Sequence, residues 1–140
     1  MFFAIATNAT FLQDFRKVNE PDLDELYRNV FEEANYNFIV TDNINKVIKL
    51  CREKSINLVL SNMLLTTDSR TNEKLGFVLL KTLKILSKTK NIPFIIFTNL
   101  VQTANKKKAI ELGADDFWAK SDYTPRELVR KVDKILKFKN

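Results

Sequence analysis

A chain of 140 residues, 45% hydrophobic and 29% charged, has the length and balance of one folded domain, which excludes a disordered or fibrous polymer. Its net charge is +6, from 23 basic and 17 acidic groups, with no histidine and two glycines. The commonest general base and metal ligand is thus missing, and neither the GxGxxG nor the GxxxxGK[ST] phosphate loop can be written. One cysteine, Cys51, excludes an internal disulfide or a thiolate metal cluster and fits a reducing compartment. No stretch approaches the roughly 18 apolar residues of a membrane span, and the amino end lacks a basic leader, so a cytoplasmic location is expected. No repeat, low-complexity run or linker divides the chain, and residues 1–140 are read as one domain.

In chain order, "FFAIA" (2–6) reads as a buried strand. Pro21, after Asn19 and Glu20, suits the first turn of a helix. Leu23, Leu26, Tyr27, Val30, Phe31 and Ala34 follow at the spacing that lines one helix face. "YNFIVT" (36–41) is a second strand, and Asp42 or Asn43 can cap the helix whose inner face holds Ile44, Val47, Ile48 and Cys51. "INLVLS" (56–61) is the third strand. A polar loop comes next, then a helix from about Gly76 with Phe77, Leu80, Leu83 and Leu86 inward. Pro93 opens the fourth strand, "PFIIF", where a missing backbone donor is tolerated. A lysine-rich helix from about Gln102 to Leu112 stops at Gly113. "DFWAK" is a short fifth strand. Thr124-Pro125-Arg126-Glu127 is a capping box that opens a last helix through Leu128, Val132, Ile135 and Leu136.

Continuous apolar strands alternating with helices predict an α/β fold, a five-stranded parallel sheet doubly wound into a three-layer sandwich. Such sheets bind ligands beyond the carboxyl ends of their strands, where strand order reverses. That rule selects Thr7, Asn8, Thr41, Asp42, Ser61, Asn62, Thr98, Asn99 and Lys120. With strand order 2-1-3-4-5, Thr7, Asn8 and Asn62 would lie centrally, with Thr98 and Lys120 beside them.

At these residues nearly the whole chain resembles a response-regulator receiver domain, the flavodoxin-like module of two-component signalling. "IPFIIFTN" matches the family's fourth strand ending in Thr, and "GADDFWAKS" its Gly-Ala-x-x-aromatic-x-x-Lys signature. "INLVLSNM" matches the third strand, which in the family ends in the phosphoacceptor aspartate; that position is Asn62 here. "FFAIATN" matches the first strand, whose end carries the family's magnesium-binding acidic pair, and Thr7 and Asn8 stand there. The resemblance makes Thr98 and Lys120 the phosphoryl-binding positions and Phe117 the switch aromatic.

The departures are chemical. An amide is a poor nucleophile, so no acyl phosphate is expected at Asn62. Replacing carboxylates by Thr7, Asn8 and Asn62 leaves Lys120 as the nearby charge and gives magnesium little to hold. A pseudo-receiver is therefore expected, independent of phosphorylation, without metal, cofactor or enzymatic activity. Thr98 and Lys120 are expected to hydrogen-bond Asn62 and backbone carbonyls; the alternative is a small-anion pocket at Lys120. Ser121 replaces the proline that follows lysine in the family, so a trans or strained peptide and a displaced Lys120 are expected. The loop from Asn62 to Gly76 is also longer than the family's.

Charge is uneven. Residues 1–80 carry 9 basic against 11 acidic groups, net −2, and residues 81–140 carry 14 against 6, net +8. Lys106, Lys107, Lys108, Trp118, Arg126, Arg130 and Lys134 form the candidate interface, on the helix 4–strand 5–helix 5 face that the family uses for dimers and output partners. The expected partner is an acidic protein surface or a second copy of the chain. A nucleic-acid-binding module is the alternative that charge alone suggests, without a helix-turn-helix, zinc or RRM signature to support it. Asp68, Glu73, Asp115 and Asp116 are read as solvated surface acids.

Overall fold

The computed structural model describes residues 2–6, 25–62, 70 and 73–138. Five strands, β1 (Phe2–Ala6), β2 (Asn37–Thr41), β3 (Leu58–Ser61), β4 (Phe94–Thr98) and β5 (Asp116–Ala119), form one sheet in the order β2-β1-β3-β4-β5. The helices are α1 (Glu25–Glu33), α2 (Ile44–Glu53), α3 (Leu75–Ile85), α4 (Thr103–Glu111) and α5 (Pro125–Phe138). The order, the alternation and the three layers are those expected.

The sheet is covered on both faces, because each strand sends alternate side chains to opposite sides. Ala4, Ile39, Val59, Ile96 and Phe117 pack under α2, α3 and α4 with Val47, Leu50, Cys51, Phe77, Leu80, Leu83 and Ala109. Ile5, Phe38, Val40, Leu58, Leu60, Ile95, Phe97 and Trp118 pack under α1 and α5 with Val30, Phe31, Leu128, Val132 and Leu136. Phe31 and Phe38 stack at 4.8 Å between ring centroids.

One expectation is corrected. The sheet is mixed rather than parallel: β3, β4 and β5 run parallel, but β1 is antiparallel to both neighbours. Phe2 pairs with Thr41 on one side and Ser61 on the other, and Ile5 with Phe38 and Leu58. The five residues "FFAIA" carry no directional signal. Ala4 and Ile5 reach opposite layers in either polarity, and an antiparallel ladder satisfies the backbone as well as a parallel one. Leu26 departs from the predicted inner face of its helix and is 62% exposed; Leu23 lies outside the described residues.

Helix ends follow the sequence closely. The Asn43 side chain caps α2, accepting from Asn45 N at 2.9 Å and Lys46 N at 3.2 Å. Gly113, with φ 104°, ends the turn after α4 in the left-handed region. At α5, Thr124 N donates to Glu127 Oε1 at 2.9 Å and Glu127 N to Thr124 Oγ1 at 3.2 Å, both halves of the capping box. These contacts, the Thr124 backbone N–H foremost, hold the Glu127 carboxyl below the usual range.

Candidate functional site at the carboxyl rim of the sheet

Parallel register places three of the singled-out residues at one rim. Ser61 pairs with Ile96 and Thr98 with Ala119, so Asn62, Thr98 and Lys120 all leave the sheet at the carboxyl ends of β3, β4 and β5. Thr41 lies at the same rim, because β2 and β3 both oppose β1 and hence run parallel to each other. The reversal of β1 changes what stands between them. Phe2, the start of that strand, sits beside Ser61, whereas Ala6 lies opposite Asn37 at the other rim. Thr7 and Asn8 follow Ala6 and lie outside the described residues, as does Asp68. Ala6, the carboxyl end of β1, thus lies at the rim opposite Asn62, and the expected central position of Thr7 and Asn8 concerns residues outside those described.

The polar groups at the rim are occupied locally. Ser61 is fully buried and its hydroxyl donates to the Asn62 carbonyl at 3.1 Å. The Thr98 hydroxyl, 1% exposed, accepts from Leu100 N at 3.1 Å. Asn99 Oδ1 accepts from Ser121 N at 2.8 Å, tying the end of β4 to the 3₁₀ turn Lys120–Asp122. The Lys120–Ser121 peptide is trans. The Lys120 ammonium lies 5.8 Å from the centroid of the Tyr27 ring on α1, a cation–π distance. Tyr27 in turn meets Phe97 edge-on at 6.2 Å. No hydrogen bond joins Thr98 or Lys120 to Asn62 among the described residues, which corrects the expected network. Tyr27 was legible only as a core-facing position; nothing local announces a cation contact to a residue so distant in sequence.

The described rim residues Ser61, Asn62, Thr98 and Asn99 offer no carboxylate to a cation. A hard cation takes carboxylates, carbonyls and water. The end of β3 offers the neutral amide of Asn62. Among the described residues no group of three or more His, Cys, Asp or Glu could hold a metal ion.

Two other expectations concern β5. Phe117 is 8% exposed and belongs to the core under α2 to α4. Trp118, expected as an interface anchor, is 3% exposed because its face of the sheet is covered by α5. Its Nε1 donates to Asp116 Oδ2 at 2.8 Å, and the Lys131 ammonium lies 4.7 Å from its ring and 4.5 Å from that of Tyr123. Asp115 is likewise structural: Oδ2 accepts from Phe94 N at 2.8 Å and from Lys84 Nζ at 3.0 Å.

Of the basic candidates, Lys106, Lys107, Arg130 and Lys134 are exposed. Lys108 is engaged within the molecule, 3.7 Å from Glu73 Oε1 and 4.9 Å from the Phe77 ring centroid. Glu73 also meets Lys81 at 2.6 Å, which corrects its reading as a free loop acid. Arg126 lies 3.7 Å from Glu33, both side chains well exposed, so the pair contributes little. No described helix is long and apolar enough to cross a membrane.

The family model described as the response regulator receiver domain matches residues 19–133. The chain is 28% identical over 119 residues to the phosphate regulon transcriptional regulatory protein PhoB of Pseudomonas aeruginosa, covering 85% of this chain and 49% of that protein. It is 28% identical over 120 residues to the transcriptional regulatory protein BaeR of Escherichia coli O6:H1, covering 85% and 45%. The chain thus spans about half the length of these relatives. Among solved structures, a putative response regulator from Chloroflexus aurantiacus superposes with a TM-score of 0.67 at 23% identity, covering 85% of this chain and 93% of that one. The family match starts at residue 19, after β1, so Thr7 and Asn8 fall outside it, while Glu20, Asp22 and Asp24 fall inside it. That boundary is the signal the strand-by-strand reading lacked: apolar "FFAIATN" looked like the family's first strand, and the acid-rich stretch downstream did not.

Proposed function

Since the chain belongs to the response regulator receiver domain family, the input module of two-component signalling, we propose that residues 1–140 form one receiver that regulates by protein contact without phosphotransfer. The observation that carries this reading is the neutral amide of Asn62 at the end of β3, where the family places its phosphoacceptor. A carboxylate there would offer an anionic oxygen to phosphorus. The amide oxygen of Asn62 carries no formal charge and is a poor nucleophile toward phosphorus.

The surroundings point the same way. Thr98 accepts from Leu100 N, and the Lys120 ammonium lies over the Tyr27 ring. Phe117, at the family's switch position, is packed in the core. What such a domain can still do is present a surface. Lys106, Lys107, Arg130 and Lys134 on α4 and α5 are exposed cations in the half of the chain with net +8. They suit an acidic protein partner or a second copy whose facing surface is acidic.

The test is a titration of ¹⁵N-labelled protein with beryllofluoride and magnesium, paired with acetyl phosphate and intact-mass analysis. Unmoved resonances at 61–62, 98–99 and 117–121 and an unchanged mass are expected. A phosphoryl adduct, or shifts centred on Asn62, would refute the reading.

A further inference from the structure

A second basic face lies on α2, away from the α4–β5–α5 side. α2 packs beside α3. A groove of about 440 Å³ there is lined by Asn45, Ile48, Lys49, Arg52, Glu53 and, from the turn after α3, Lys88. A second groove of about 330 Å³ runs along the same helix, sharing Lys49 and Glu53 and adding Lys46, Leu50 and Lys54. Five cations thus line the two grooves with one carboxylate, four of them from the half of the chain whose net charge is −2. Lys49, Arg52 and Lys88 make no ion pair among the described residues. The inner side of α2 is already committed to the core through Val47, Leu50 and Cys51, so these cations face outward.

Two features select the occupant. Lys49 and Arg52 lie three residues apart, about one helical turn or 5 Å, the interval at which acids spaced three or four residues apart on a partner helix would meet them. The floor between them is apolar: Ile48, partly buried against the core, lines the first groove and Leu50 the second. A phosphate backbone has no use for an apolar floor, and no aromatic ring lines either groove to stack a base. We propose that the α2 face, completed by Lys88, docks an amphipathic acidic helix of a partner protein.

The probe is a fluorescein-labelled peptide of about 18 residues, five turns, with glutamates along one face and leucines beside them. Its controls are a scrambled peptide of equal composition and a thymidine oligonucleotide of equal charge, followed by anisotropy. In the full chain, Lys49→Gln/Arg52→Gln/Lys88→Gln is expected to weaken the peptide about tenfold, roughly what three exposed pairs are worth. Lys137→Gln, an exposed cation on α5 outside the α4–β5–α5 candidate interface, should leave it within about twofold. In unsubstituted protein, peptide-induced amide shifts should map to 45–54 and 85–88. The proposal is overturned if the peptide does not bind, if the triple variant and Lys137→Gln lose equally, if the scrambled peptide binds as well, if the oligonucleotide binds more tightly, or if the shifts map elsewhere.

Discussion

Lys84 offers the sharpest test of how the second half of the fold is held. Its ammonium donates to Lys90 O at 3.2 Å, to Ile92 O at 3.3 Å and to Asp115 Oδ2 at 3.0 Å, closing the turn between α3 and β4 onto the start of β5. The same carboxylate oxygen accepts from Phe94 N at the first residue of β4. Lys84→Met keeps most of the stem, which packs beside Gly113, and deletes the charge and its donors. Side-chain exposure is 19% for Lys84 and 39% for Asp115, so the ion pair is partly solvated and contributes about 0.5 kcal/mol. Each carbonyl left without its charged donor adds about 0.5–1 kcal/mol, since water reaches it in part. The sum is about 2 kcal/mol, or a fall in melting temperature of about 6 °C for a chain of this size. Urea unfolding followed by circular dichroism measures it, with an unchanged m-value expected. Asp115→Asn should cost less, because its remaining oxygen still accepts from Phe94 N, and the double variant should fall short of the sum. A Lys84→Met protein within about 0.3 kcal/mol of wild type would refute the assignment of this lysine as a clamp.

Burial pushes the Cys51 thiol up to about 12. The unfolded chain ionises near its ordinary value, so folding stability should fall as pH rises above about 9, at up to about 1.4 kcal/mol per unit from this group. Comparison of alkaline unfolding curves for wild type and Cys51→Ala isolates that slope, and native Cys51 should resist iodoacetamide. Thr124→Ala removes the α5 cap and should cost about 1 kcal/mol in thermal unfolding. Glu127 is held low by the same cap, so its stabilising contribution should be present above the ordinary carboxylate range and fade as pH falls through it. Asn62→Asp alone should not restore modification by acetyl phosphate, because the Lys120 ammonium is engaged over the Tyr27 ring; an adduct detected by intact mass would show that the amide was the one obstacle.

Much of the fold was legible because its signals are local. Gly113 and the Thr124–Glu127 box set helix limits without reference to the rest of the chain, and continuous apolar runs located β3 and β4. The polarity of β1 was not legible: a run of five apolar residues specifies burial and a period of two, not a direction, and the neighbours that fix direction are thirty or more residues away in sequence. The candidate site was legible in its types and less so in its contacts. Asn62, Thr98 and Lys120 leave the sheet at one rim. The perch of Lys120 on Tyr27, the burial of Trp118 and the structural duties of Asp115 and Glu73 arise from tertiary neighbours that composition cannot reveal.

The reversed first strand has a practical corollary. Any polypeptide fused ahead of Phe2 must depart next to Thr41 and Ser61, over the very cleft where a ligand or partner would be sought. An extension after Phe138 leaves from a helix that follows β5 back toward the opposite side of the sandwich. An amino-terminal tag would therefore act as a plug, and a carboxyl-terminal one as a handle.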